Sequence, residues 1–332
     1  MLGLSAEAIE ARDFSAVFAR VNPAVVVINT AERFSAPDGS SPPISVAGIG
    51  SGVMISNEGE VLTAAHVVET ADEVYVRFLS GETIFAEVIA SEPQADIALL
   101  QLERMPDKPV VAPLADSDEA RVGDEVFIIG APYGLSHTLT VGHISARHQR
   151  AMGNMNLAMA EFFQTDAAIN EGNSGGPMFS VEGEVLGIVS HIISQSGGFE
   201  GLGFVVTSNA ARRLVMDEPS IWSGISGFRL EGEMAALFHL PQEAGVLVQR
   251  VARWSPAEAL GLRGGNVRAR IAEEPVVLGG DVILAVQDIT LDSEASYARV
   301  NRAIAGLSRG DELRLTILRA GRVVQLQGPW LE

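Results

Sequence analysis

The chain has 332 residues, 47% of them hydrophobic, no cysteine, and a formal net charge of −19. Residues 1–215 hold 11 basic and 27 acidic side chains, and residues 216–332 hold 12 and 15, so most of the acidity lies in the first two-thirds. Such a surface repels phosphate backbones and anionic lipid and argues against nucleic acid as a partner, while the missing cysteines exclude disulfides, zinc–thiolate sites and a thiol nucleophile.

The length predicts about two domains. The opening "MLGLSAEAIEARDF" lacks the basic and apolar regions of a signal peptide, and no apolar run is long enough to span a membrane. Residues 1–13 read as an N-terminal segment. From Ala24 to about Val206 the chain alternates short β runs ("AVVVINT", "GSGVMIS", "EVYVRFL", "DIALLQL", "EVFIIG", "GEVLGIVSHII") with turns at Asn57-Glu58-Gly59, Ser80-Gly81 and Glu182-Gly183. Many short strands with glycine-rich turns predict a closed all-β unit or two packed barrels. "SNAARRLVMDE" (208–218) predicts a helix capped by Ser208 or Asn209. Residues 217–221, holding Pro219, read as a linker. Residues 222–332 read as an α/β module: strand 245–251, a short helix at 255–260, strand 281–286, helix 293–306, and strands 311–319 and 322–327.

Three motifs carry chemistry. "VLTAAHVV" places His66 after a β run, "ADIALL" places Asp96 at the head of another, and "INEGNSGGPMFS" surrounds Ser174 with Gly172, Gly175 and Gly176. A serine hydroxyl needs an imidazole to take its proton, and the imidazole needs a carboxylate to fix its tautomer. The glycines make room for substrate, so that backbone N–H groups of the stretch Gly172, Asn173 and Ser174, those of Gly172 and Ser174 above all, can converge on a developing oxyanion. "GNSGG" also fits the nucleophile elbow of α/β-hydrolases, which requires a helix after the serine. Here Pro177 and a hairpin turn at Glu182-Gly183 follow, predicting a strand pair instead.

"GIGSGVMISNEGEVLTAAHVV", "ADIALLQL", "RVGDEVFIIGAPYGLSHTLTVGHISA", "FFQTDAAINEGNSGGPMFSVEGEVLGIV" and "GLGFVVTSNAARRL" together resemble the HtrA/Deg serine proteases. The resemblance implies a mostly β fold: a chymotrypsin-like double β-barrel (residues 14–216) followed by an α/β PDZ domain (222–332). It implies an ATP-independent endopeptidase without cofactor or metal, acting on unfolded, misfolded or regulatory proteins in the periplasm or another extracytoplasmic space. It assigns His66, Asp96 and Ser174 as the triad and puts Ser190 beside the Asp96–His66 pair. Ile169, Ile192 and Leu202 would line a pocket for small apolar residues. Family members usually form trimers through the N-terminal segment, where Phe14 and Phe18 are candidate contacts.

In the second module the resemblance places Trp222, Ser223, Gly224 and Ile225 in a loop whose backbone N–H groups capture a peptide's C-terminal carboxylate, with Val300 and Ile304 lining the peptide groove or the core. Residues 266–277 read as an insertion. Ser223 replaces a large apolar residue common at that position. Glu171 stands one residue before the oxyanion stretch, where its carboxylate would either disfavour negative charge or point to solvent. Asn173 stands where many chymotrypsin-like enzymes carry aspartate, so activation by pairing with a new N-terminus is excluded, and loops 147–163 and 191–200 are expected to order the site. His137, His143 and His148 lack the acidic or thiol partners of a metal site. A competing reading is a binding or chaperone scaffold on a protease fold.

Overall fold

The computed structural model describes residues 13–34, 44–132, 137–148, 160–194, 198–217, 221–271, 274–308 and 310–330. The first barrel closes through β1 (Val25–Phe34), β2 (Ile44–Met54), β3 (Glu60–Thr63), β4 (Glu73–Arg77), β5 (Thr83–Glu92) and β6 (Ile97–Leu102), in the order β1-β2-β3-β6-β5-β4. The second closes through β7 (Glu125–Gly130), β8 (Thr138–His148), β9 (Phe162–Thr165), β10 (Pro177–Ser180), β11 (Val185–Ile192) and β12 (Gly203–Thr207), in the order β10-β11-β12-β9-β8-β7.

The apolar runs of the sequence are continuous rather than alternating because many strands are buried on both faces. Val25 of β1, Ile97 and Leu99 of β6, Phe127 and Ile129 of β7 and Phe204 and Val206 of β12 pack into one core at the seam between the barrels. Their neighbours in sequence turn the other way. Val26, Ile28, Ala98 and Leu100 fill the first barrel, and Val126, Ile128 and Val205 fill the second. Each strand therefore serves two cores, and one-residue slips would exchange them.

Helix α1 (Phe14–Val21) begins at Asp13, whose carboxylate accepts from the Ser15 N–H at 2.9 Å. Phe14 meets Phe127 edge-on at 5.5 Å, and Phe127 stacks on Phe179 at 5.1 Å. Such pairs add about 0.5–1.5 kcal/mol each beyond area burial. Phe14 and Phe18 are thus packed against the seam core of their own chain. The predicted helix at 208–218 is shorter in its regular part: α3 (Ser208–Arg212) is capped by Thr207, whose hydroxyl accepts from Ala210, and it continues as a wider π turn over Arg213–Asp217. The cap lies one residue before the serine expected there, because Ser208 is fully enclosed and donates instead to the Ala115 carbonyl.

The third unit is a sheet ordered β13-β14-β17-β19-β20, built from β13 (Ile225–Glu231), β14 (Ala244–Val251), β17 (Val282–Val286), β19 (Glu312–Arg319) and β20 (Arg322–Pro329), with β18 (Ile289–Thr290) beside β17. Helix α4 (Glu233–Leu237), α5 (Pro256–Ala259) and α6 (Glu294–Ala305) accompany it. The predicted insertion is a hairpin of β15 (Val267–Ile271) and β16 (Glu274–Leu278), anchored by the buried Val276. Sequence reading omits β13, because its residues are mostly half-buried or exposed and Gly227 interrupts the apolar pattern. The Asp281 carboxylate, 2% exposed on its side chain, is held by Arg319 Nε and Nη2 at 2.7 Å each.

Candidate active site

The three motifs meet where the barrels face each other. His66 sits on α2 (Ala65–Val68), a single turn after β3, and Asp96 ends the turn before β6. Asp96 has φ +55, a left-handed conformation that costs most side chains energy and that aspartate tolerates better than most. That conformation lets its carboxylate cap α2. Asp96 Oδ1 accepts from the His66 backbone N–H at 3.0 Å and lies 2.8 Å from His66 Nδ1, with Oδ2 at 2.9 Å from the same nitrogen. Ser190 Oγ donates to Oδ2 at 2.5 Å. Burial pushes the Asp96 carboxyl up, but these donors and the His66 charge outweigh it and hold it below the usual carboxylate value. Burial likewise pulls His66 down, and the Asp96 hydrogen bond and charge reverse this, leaving its imidazole more basic than usual.

Ser174 lies in the loop before β10, on the other barrel. Its Oγ donates to the Ser190 carbonyl at 3.3 Å, and among the described residues this is the hydrogen bond the hydroxyl makes. Gly172 has φ +97 and Gly175 φ +83. At Gly175 a Cβ would fall 2.2 Å from the Ser51 carbonyl oxygen and 2.3 Å from Thr63 Oγ1, so only glycine fits. The Asn173 N–H is taken by the Asn170 carbonyl at 3.0 Å. Among the described residues no acceptor takes the N–H of Gly172 or Ser174, so those two amides are the ones free to meet an oxyanion. Glu171 is exposed and its residue turns to solvent.

Sequence reading overlooked Ser51. This fully buried residue of β2 ties the first barrel to the nucleophile loop. Its N–H donates to the Ser174 carbonyl at 2.8 Å, and its hydroxyl donates to the Gly172 carbonyl at 2.7 Å while accepting from the Ala131 N–H at 2.9 Å. Two carbonyls of the nucleophile loop are thereby tied to the first barrel, while the Asn173 carbonyl, which shares its peptide plane with the free Ser174 N–H, accepts from the Gly176 N–H at 2.9 Å. "GSG" in the sequence carries the serine, but nothing local indicates that it crosses to the other barrel.

Of the proposed pocket residues, Ile169 (2% exposed) and Ile192 join one cluster with Phe199. Leu202 stands outside that cluster, 37% exposed. A Cβ at Gly203 would lie 2.5 Å from Ile169 Cδ1, so the Ile169 side chain fills the space beside Gly203. His137 bonds to Asn22 at 2.7 Å, His148 to Gln164 at 3.1 Å, and His143 faces Asp166 at 3.9 Å, so each of the three histidines has its own separate partner. The middle of the 147–163 loop and residues 195–197 lie outside the described residues.

In the third unit the carbonyls of Ser223 and Gly224 accept from Ala257 (3.3 Å) and Ala252 (2.7 Å), and Gly224 has φ +71. Among the described residues the N–H groups of Ser223 and Gly224 have no acceptor. Ile225, Val300 and Ile304 share one apolar cluster. Trp222 turns away from them: its indole Nε1 donates to the Glu69 carbonyl on the first barrel at 3.1 Å.

Two closed six-stranded barrels with this seam, followed by this sheet-and-helix unit, define a trypsin-like peptidase joined to a PDZ domain. The trypsin-like peptidase family profile matches residues 50–188 and the PDZ profile residues 202–327. A probable periplasmic serine endoprotease, DegP-like, of Hahella chejuensis is 32% identical over 96% of this chain and 72% of its own length. A probable periplasmic serine protease, do/HhoA-like, of Haemophilus influenzae is 36% identical over 83% of this chain, which spans 56% of that protein. Among solved structures, the HtrA-type protease AlgW with a decapeptide is 30% identical, with a TM-score of 0.56, over 97% of this chain and 100% of that one. The chain belongs to the HtrA family of DegP-like serine endoproteases.

Proposed function

We propose that the chain is an ATP-independent serine endopeptidase in which His66, Asp96 and Ser174 act as the triad. The observation that carries this reading is the Asp96 carboxylate, held by three donors and set 2.8 Å from His66 Nδ1. Asp96 can only accept, so Nδ1 carries the proton and Nε2 is left as the base. In the reaction the Ser174 hydroxyl rotates from the Ser190 carbonyl toward Nε2, which takes its proton as Oγ attacks the scissile carbonyl. The oxyanion forms against the Gly172 and Ser174 amides, and the imidazolium, stabilised by Asp96, returns the proton to the leaving amine. Residues 14–216 form the protease domain and 222–332 the PDZ domain, with 217–221 as the link between them.

The substrates are unfolded or regulatory proteins of the periplasm, cut after small apolar residues because Ile169 fills the space beside Gly203. The PDZ domain takes peptide C-termini at residues 222–225, and the functional assembly is a homotrimer or a higher oligomer. The AlgW structures contain bound decapeptide and tripeptide, which supports peptide recognition by this architecture. A serine-directed phosphonate should label Ser174, and Ser174→Ala should lower turnover on an unfolded protein by about 10⁶-fold while leaving the fold intact. Absence of labelling and of cleavage, with and without PDZ peptide, would return the chain to a binding scaffold.

A further inference from the structure

His191 follows Ser190 on β11, and the hydrogen bonds of the Asp96 cluster do not end at the serine. His191 Nδ1 lies 2.9 Å from Ser190 Oγ. Ser190 owns one hydroxyl proton, and the Asp96 carboxylate at 2.5 Å can only accept it. The Ser190 oxygen is therefore the acceptor toward His191, whose proton must reside on Nδ1. The other ring nitrogen agrees. His191 Nε2 is fully buried and has no hydrogen-bond partner among the described residues, as suits an unprotonated nitrogen. The ring is stacked on Phe204 at 5.0 Å with an 11° interplanar angle, and Phe162 meets it edge-on at 6.0 Å. Burial between these rings pulls the imidazole below its ordinary basicity, the Asp96 charge pulls the other way, and the His66 charge adds to the burial. Across Phe204 lies His148, 6.0 Å from that ring.

We propose that His191 is a positioning residue for the hydrolytic reaction: its Nδ1–H fixes the Ser190 hydroxyl, and Ser190 in turn holds Asp96 in the orientation that aligns His66. A hydroxyl with a free choice of rotamer would hold Asp96 less firmly. A hydroxyl whose oxygen already accepts a hydrogen bond is locked in rotation and is a stronger donor, because bonds in a chain polarise one another. The inference rests on the triad reading above, and it adds, behind Asp96 and Ser190, a fifth group that touches neither substrate nor the reacting atoms.

The test compares His191→Phe, which keeps the stack on Phe204 but loses the donor, with His191→Asn, whose amide N–H falls near the position of Nδ1. Losing one neutral hydrogen bond in the chain is expected to lower kcat about 2- to 10-fold in the Phe variant, with KM within about twofold of the parent. With Ser190 donating less strongly, Asp96 keeps more charge, and the acid limb of the pH profile of kcat/KM moves up. His191→Asn should restore most of kcat and the parent acid limb. In a Ser190→Ala background, His191→Phe should change kcat by less than about twofold, because the route through the hydroxyl is already cut. A Phe variant with parental kcat and pH profile would overturn the proposal. So would an Asn variant as impaired as Phe, or an undiminished effect of His191→Phe without Ser190. If His191→Phe fails to fold by circular dichroism, the Asn variant and a His191→Leu change in the Ser190→Ala background decide the same question. Phosphonate labelling of Ser174 in the parent separates failure of this inference from failure of the protease reading.

Discussion

The indole Nε1 of Trp222, the first residue of the proposed carboxylate loop, donates to the backbone carbonyl of Glu69 at 3.1 Å, and Glu69 closes the helix that carries His66. Arg250 of β14 pairs with Glu32 of β1 at 2.5 Å, and the Arg253 N–H donates to Asp72 Oδ1 at 2.7 Å. The PDZ sheet therefore rests on the histidine side of the active site. A peptide entering residues 222–225 has to share that loop with the Glu69 contact. Replacing Trp222 by Phe removes the donor and retains an aromatic ring. We expect peptides with free apolar C-termini to change cleavage of a short reporter by about 5- to 150-fold in the parent. In Trp222→Phe the response should shrink to less than about threefold, with peptide affinity checked by fluorescence anisotropy. An unaltered response would place the coupling elsewhere, in loops 147–163 and 191–200.

Glu69 also makes this contact sensitive to pH. Its carboxyl is raised to about 7, chiefly by burial and further by Asp96, against the lowering by the Ser226 hydrogen bond, His66 and Arg250. Moving the PDZ sheet away is expected to re-expose the carboxyl and return it toward its ordinary value of 4.5. The docked form thus binds the extra proton. Docking is favoured most below about pH 4.5 and weakens as pH rises through about 7. Hydrogen exchange of residues 222–226 should accelerate across that window, and Glu69→Gln, which mimics the protonated group, should flatten the dependence.

Ser51→Ala would leave the buried Ala131 N–H without its acceptor and the Gly172 carbonyl without its donor. The expected loss of stability is about 1–3 kcal/mol, read by urea denaturation. Because Ser51 anchors the loop that carries the free amides, kcat should fall further than KM rises, and a peptide boronate should lose more affinity than a substrate-like peptide. Equal loss of both affinities would reduce Ser51 to a structural stitch.

Ile169→Val removes the Cδ1 that fills the space beside Gly203. Truncating one buried methyl in this way costs about 0.5–1.5 kcal/mol of stability. Deepening the pocket by one carbon should move cleavage preference from Ala and Val toward Leu, by a discrimination of about 1–3 kcal/mol. Mass-spectrometric mapping of cleavage sites in an unfolded protein reads this, and a profile dominated by Arg or Lys in either protein would sink the apolar-pocket assignment.

The acid limb of kcat/KM reports the base. Asp96 makes His66 more basic than an ordinary histidine, so activity should rise with pH and reach half its plateau above the ordinary value of 6.5. Asp96→Asn should lower kcat by about 10⁴-fold, since an amide also permits the wrong tautomer.

The sequence by itself determined the order of the elements, the two groups of short strands, and the identity of the groups at the seam. Those features are local: a turn needs its glycine, a strand buried on both faces needs an unbroken apolar run, and a serine ringed by glycines announces a close approach of backbone. It did not show β13, whose half-buried pattern is broken at Gly227, nor the Thr207 cap, because both depend on what packs above them. Only the tertiary structure decided which polar groups meet. Ser51 and Gly172 are 121 residues apart, Asp96 and Ser190 are 94 apart, and Glu69 and Trp222 are 153 apart. No periodicity links such pairs; they join because two barrels and a third sheet share buried faces, and a polar group enclosed there has to find its partner across the chain.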